Sequence, residues 1–172
     1  MRPRVGIIGA GNMGLAIARG AIATHVLQPA DLIVADIDPE KRDAAARLGC
    51  QATSEPGPVA AAEQVFLALK PQVFAPVADQ IGRLSEPTVV ITIMAGISTD
   101  HIRDRLGPNV RVIRAMPNTP CQLGEGMTGL ALGAGAAPGD EKLAWHIFEA
   151  IGRTTMLDEA LMDAVTAVSG SG

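Results

Sequence analysis

The run Val5-Gly6-Ile7-Ile8-Gly9-Ala10-Gly11-Asn12-Met13-Gly14 decides the fold. Its first four residues read as a short buried strand, which leads straight into three glycines spaced G-x-G-x-x-G and an alanine-rich helical stretch. In that setting each glycine has a steric reason to be there. Gly9 permits a tight turn, Gly11 lets a pyrophosphate approach the backbone, and Gly14 lets the helix lie against the strand. The helix start then offers unpaired amides and a partial positive charge to an anion. The bare motif arises easily in a chain with 19 glycines. Context carries the reading: a strand precedes it, a helix over 12–24 follows, and a second strand over 32–36 ends at Asp36, completing a βαβ unit. Asp36 lies beyond Gly14 at about the ~20-residue offset where an acid meets the adenosine ribose hydroxyls of a dinucleotide.

Outward from that unit, apolar runs alternate with helical patterns along nearly the whole chain. This predicts an α/β fold, a Rossmann-like, doubly wound, mostly parallel sheet flanked by helices. Asp38-Pro39-Glu40 starts a helix with a capping side chain, a proline at the first position and an acidic first turn, and Gly49 stops it after Leu48. Further strands are expected at 51–53, 64–69, 88–93 and 111–114, with helices at 57–62, 72–84 and 99–106 between them. Ala115-Met116-Pro117-Asn118-Thr119-Pro120 reads as a rigid loop because two prolines flank Asn-Thr. A strand over 127–132, a loop from Gly133 to Gly139, a helix over 140–151 and a strand over 153–157 follow. A final helix is expected from near Asp158 to Val168. Ser54-Glu55-Pro56-Gly57-Pro58 has the composition of a mobile loop.

At 172 residues the chain can bury one good core. The expected division is a nucleotide-binding domain over 1–157 and a tail over 158–172. Net charge is −4, with 14 Lys and Arg residues scattered along the chain. Aromatics make up 2% and tyrosine is absent, so neither a basic footprint nor a stacking platform for nucleic acid is present. No apolar run approaches the ~20 residues of a membrane span. Met1-Arg2-Pro3-Arg4 leads directly into the first strand without a signal-peptide stretch, so a cytoplasmic protein is expected. Cys50, Cys121, His25, His101 and His146 are isolated from one another, and no metal site is expected.

In an open parallel sheet, ligands bind beyond the carboxyl ends of the strands. The loops at 9–14, 36–38, 68–71 with 94–96, and 115–120 are therefore the ones to read. Ala68-Leu69-Lys70-Pro71 and Met94-Ala95-Gly96 supply small or apolar walls for a nicotinamide. A carboxylate at Asp36 would repel a 2′-phosphate, which leans the choice toward NADH over NADPH, although Lys41 and Arg42 stand one turn into the following helix. Nucleophile readings do less well. Cys121 has no histidine near it in sequence, Lys70 reads as a solvated cation, and Ser169-Gly170-Ser171-Gly172 follows a helix where a G-x-S-x-G elbow follows a strand. Hydride transfer needs no protein nucleophile.

Taken together, Ile8 to Gly14, Leu67 to Pro71, Met94-Ala95-Gly96-Ile97-Ser98, Arg114-Ala115-Met116-Pro117-Asn118-Thr119-Pro120 and Asp163-Ala164-Val165 through Gly172 resemble pyrroline-5-carboxylate reductase. The resemblance implies hydride transfer from NADPH or NADH to the imine carbon of 1-pyrroline-5-carboxylate, giving L-proline in the last step of proline biosynthesis. It also implies that Gly9, Gly11, Asn12, Met13 and Gly14 hold the pyrophosphate, and that Ala68, Leu69, Lys70, Pro71 and Ala95 border the nicotinamide. Asn118 and Thr119 stand beside them, and Glu159 matches a cofactor-side position. NADPH-using members often place Ser or Asn-Arg where this chain has Asp36-Ile37. Members of the family continue past Ser-Gly-Ser-Gly into a helical domain that makes the dimer and holds the substrate carboxylate. The expectation is thus a cofactor half that turns over little or nothing alone, within a homo-oligomeric parent built on dimers. The competing readings are a non-catalytic NAD(P)-binding sensor or scaffold and a beta-hydroxyacid dehydrogenase relative.

Overall fold

A strand that is apolar on both faces needs a covering layer on each side, and that requirement organises the chain. The computed structural model describes residues 3–23, 25 and 27–169. In chain order the elements are β1 (Val5–Ile8), α1 (Asn12–Ala23), β2 (Leu32–Ala35), α2 (Pro39–Arg47), β3 (Gln51–Thr53), α3 (Pro56–Ala60), β4 (Gln64–Leu67), α4 (Phe74–Ile81), β5 (Thr88–Thr92), α5 (Thr99–Leu106), β6 (Val110–Pro117), β7 (Gly126–Leu132), α6 (Lys142–Glu149), β8 (Gly152–Met156) and α7 (Met162–Ser169).

The strands form one sheet in the order β3-β2-β1-β4-β5-β6-β7-β8. From β3 to β6 all neighbours are parallel, β7 runs antiparallel to β6, and β8 is parallel to β7. The architecture is the expected Rossmann-like, mostly parallel sheet with helices on both faces. Alternate residues of each strand serve opposite layers. Ile7, Phe66, Ile91 and Ile113 pack with Ile17 of α1 and with Ile147 and Phe148 of α6. Ile8, Leu67, Val90 and Val112 pack with Val59, Phe74 and Ile102 on the other side. Glycine brings two of these layers unusually close. A Cβ on Gly6 would overlap the carbonyl oxygen of Val59, and one on Gly20 would stand 2.8 Å from Ile151.

Local signals set the helix ends. The Asp38 side chain accepts from the Glu40 amide at 3.0 Å, with Pro39 at the first helical position, and the Ser98 hydroxyl accepts from the His101 amide at 3.2 Å. The helix expected over 72–84 is split: Pro71–Val73 is a 3-10 turn, and α4 stops at Gly82, whose φ of 70° is costly for other residues. Among the described residues no helix is long and apolar enough to cross a membrane.

Beyond α5 one region departs from the sequence expectation. The strand expected to end at Arg114 continues through Pro117, because β7 folds back and pairs Ala115 with Leu130, Met116 with Gly129 and Pro117 with Thr128. Pro117 lies beyond Arg114, the last residue paired with β5, so only β7 flanks it and it sits as on an edge strand, where a missing amide donor is tolerated. The stretch after 157 packs on the sheet: Met162 is fully buried against Met116 and Ala131, and Arg114 donates through Nη2 to Asp163. Gly170-Ser171-Gly172, the end of the quoted Ser-Gly-Ser-Gly run, lies outside the described residues.

Arg114 is 5% exposed, and its buried Nε has no partner among the described residues, so Asp163 is the carboxylate that compensates this cation. Asp163→Ala is expected to cost about 2 kcal/mol in urea unfolding. Combining it with Arg114→Met should recover part of that loss, and a double variant weaker than Asp163→Ala would refute the assignment.

Candidate functional site

The parallel strands end together. Ile8 is level with Ala35 and Leu67, Leu67 with Thr92, and Thr92 with Arg114, so the loops after these strands open on one edge of the sheet. There, between the ends of β2, β1 and β4, lies a cavity of about 390 Å³. It sits where the winding reverses direction, since the chain builds outward from β1 to β2 and β3 and then returns to place β4 on β1's other side.

The glycine loop forms one wall and divides its labour by position. Gly9, at φ 105°, has no room for a side chain, because a Cβ would overlap the carbonyl oxygen of Ala68. A Cβ on Gly14 would overlap the carbonyl of Gly9, so the first turn of α1 rests directly on the loop. Gly11 is different: nothing lies within 4 Å of a Cβ built there, and the residue lines the cavity. A side chain at 11 would stand in the groove while disturbing nothing else. No described residue accepts a hydrogen bond from the amides of Asn12, Met13 or Gly14. An open cradle at Gly11, next to unpaired amides at the start of α1, fits a diphosphate.

Asp36 sits at the end of β2, and both its oxygens are engaged. Oδ2 accepts from the Ala10 amide at 2.8 Å and Oδ1 from the Asp38 amide at 3.0 Å. The carboxylate thus ties the glycine loop to the turn that opens α2, and each oxygen keeps a lone pair for a ribose hydroxyl. Ile37, next along, is 89% exposed and lines the cavity with Val73 and Val77, an apolar lip suited to a flat ring.

Of the sequence-predicted site residues, Gly9, Gly11, Asp36, Ala68, Leu69 and Lys70 line this cavity. Asn12, Met13 and Gly14 form the first turn of α1 beside it, and Pro71 follows Lys70 in the 3-10 turn. Ala95 is exposed on the loop after β5, next to buried Met94. Asn118 lies at the end of β6, where its Oδ1 accepts from the Met127 amide at 2.8 Å, and Thr119 beside it is exposed. Glu159 arrives by another route, after β8, and its Oε1 accepts from the Thr99 hydroxyl at 2.6 Å. Neither Glu159 nor Asn118 lines the cavity.

Lys41 and Ser54 also line the cavity. Ser54 follows the parallel strand β3, so the carboxyl-end rule reaches it; the mobile loop expected over 54–58 is instead the lead into α3, whose first residues Pro56-Gly57-Pro58 are helical because prolines suit a helix start. The cysteines lie apart from this groove. Burial pushes the Cys50 thiol up, which keeps it protonated and unreactive. Cys121 is buried with its sulfur 3.7 Å from the Thr128 hydroxyl. Among the described residues no group of three or more His, Cys, Asp or Glu side chains could hold a metal ion.

Fold and cradle define a Rossmann-type domain whose groove has the shape and the open backbone that a dinucleotide needs. The chain belongs to the family described as NADP oxidoreductase, coenzyme F420-dependent, which it matches over residues 4–96. It is 35% identical over 172 residues to a pyrroline-5-carboxylate reductase of Methanosarcina acetivorans, a match covering 98% of this chain and 64% of that protein. Among solved structures, a pyrroline-5-carboxylate reductase from Coxiella burnetii superposes with a TM-score of 0.90 at 29% identity, covering 100% of this chain and 65% of that one. A Plasmodium falciparum pyrroline carboxylate reductase with NADP bound superposes at 0.82 and 26% identity, covering 98% and 63%. The chain thus spans under two thirds of the length of each.

Gly11→Val is expected to leave stability within about 0.5 kcal/mol, because no neighbour is displaced. The same variant should abolish saturable coenzyme uptake in a calorimetric titration. Unchanged uptake would show that the groove at Gly11 is not the diphosphate site.

Proposed function

We propose that this chain is the coenzyme-binding portion of a reductase that converts 1-pyrroline-5-carboxylate to L-proline. The observation that carries the reading is the 35% identity to a pyrroline-5-carboxylate reductase across 98% of the chain. The cradle supplies its physical basis. When bound, a reduced nicotinamide supplies the hydride. The chain's own residues position and shield. The bare backbone at Gly11 and the amides of Asn12, Met13 and Gly14 take the diphosphate, and Asp36 accepts from the adenosine ribose. Ala68, Leu69, Lys70, Pro71 and Ala95 border the nicotinamide. Asn118, its carbonyl already held by Met127, is left with its amide NH₂ as a donor, and exposed Thr119 adds a hydroxyl.

A protonated imine carbon is already electrophilic, so orientation and exclusion of water suffice and no nucleophilic side chain is required. Donors for the substrate carboxylate and the surface that pairs two subunits are assigned to the length of the relatives that this chain does not span. Asp36 favours NADH, because a carboxylate held in place by two amides cannot move away from a 2′-phosphate without losing both bonds. A cytoplasmic setting without nucleic-acid partners completes the proposal, in line with the net charge of −4.

The test is oxidation of NADH and NADPH by 1-pyrroline-5-carboxylate, followed by the loss of reduced-nicotinamide absorbance and checked by proline formation. The chain joined to a C-terminal segment of the length found in the relatives is expected to turn over. The chain alone should bind coenzyme and turn over at least about a hundredfold more slowly, having lost the water-excluding half of the site. A joined protein that binds coenzyme and makes no proline would leave a nucleotide-sensing module as the better reading.

A further inference from the structure

Two cations stand at the ribose end of the groove, and hydrogen bonding separates their roles. Arg42 donates through Nη1 to the carbonyl of Asp36 at 2.9 Å and to that of Ile37 at 2.8 Å. Its guanidinium therefore closes the turn between β2 and α2, and Arg42 does not line the cavity. Lys41 does line it, together with Asp36, Ile37 and Ser54. Its ammonium is 3.9 Å from the Asp38 carboxylate, with side-chain exposures of 45% and 41%. A pair so long and so wet restrains a lysine weakly, so Lys41 can turn to a new anion at little cost. The cavity's other lysine, Lys70, follows β4, which lies on the opposite side of β1 from β2.

The carboxylate of Asp36 stays where it is, held by the amides of Ala10 and Asp38. A phosphate on the ribose 2′-oxygen must therefore find a cation and a hydroxyl on the rim beyond that carboxylate. Lys41 and Ser54 are the cavity-lining residues that offer them. Resting on the coenzyme reading above, we propose that Lys41, together with Ser54 of the same cavity lining, admits the 2′-phosphate of NADPH, while Asp36 serves the ribose diol of NADH. The chain thus takes both coenzymes, and one exposed lysine decides how well it takes the second.

Calorimetric titration of the chain with NADPH and NADH tests this, using Lys41→Met, Ser54→Ala and Arg42→Met, with melting temperature as the control for folding. Lys41→Met is expected to raise the Kd for NADPH about tenfold and that for NADH less than about twofold. Ser54→Ala should act in the same direction by a smaller factor. Raising salt should weaken NADPH more than NADH in the unsubstituted chain, and Lys41→Met should remove that difference. Arg42→Met should affect both coenzymes alike. The proposal is overturned if Lys41→Met weakens both equally or neither, if Arg42→Met is the variant selective for NADPH, or if the unsubstituted chain binds NADH alone. Uptake of neither coenzyme would instead remove the underlying coenzyme reading, and this proposal with it.

Discussion

A side chain at Gly9 would run into the carbonyl of Ala68, and one at Gly14 into the carbonyl of Gly9, so β1, α1 and the end of β4 interlock only as bare backbone. That contact fixes where the helix begins relative to the sheet. Because β1 pairs with β2 on one side and β4 on the other, the same contact sets the three strand ends that surround the groove. The space left open in front of Gly11 is the complement of the space filled behind Gly9 and Gly14. A cradle for a diphosphate follows from that arrangement, since the amides at the start of α1 have no other acceptor among the described residues.

Asp36 extends the constraint from packing to electrostatics. Its two oxygens are held by amides 26 residues before it and two residues after it, which joins the glycine loop and the β2–α2 turn through one carboxylate. On the proposed coenzyme reading the same group meets a ribose, and recognition at this end is shared between a fixed acid and a loosely held lysine. Selection between closely related ligands is a difference of small terms, and a rigid anion beside an adjustable cation suits both a diol and a phosphate.

The far end of the sheet shows how a polar network is used once the core is complete. Arg114 points from β6 toward α7 and finds Asp163, and Thr99 at the start of α5 is bonded to Glu159. Thr99 also accepts from the Ala134 amide at 3.0 Å, and Gly133 lacks the Cβ that would overlap it. These links hold residues 158–163 against the sheet, so the loop after β5 and the start of α7 are positioned together.

Strand and helix order, the glycine cradle, Asp36 and the capped start of α2 were all legible in the sequence, because each depends on neighbours within a few residues or on a motif whose spacing is itself the geometry. The loops that gather at one sheet edge could be named for the same reason: parallel strands with crossover helices force their carboxyl ends to one side. What pairing decides across long separations was not legible. The length of β6 depends on β7 folding back against it, the reversal of β7 and β8 depends on which edge the chain chose, and the partners of Arg114 and Glu159 lie 49 and 60 residues away in sequence. The difference between Lys41 and Arg42 is of this second kind, since two adjacent cations acquire distinct roles only when the turn brings carbonyls to one and open groove to the other.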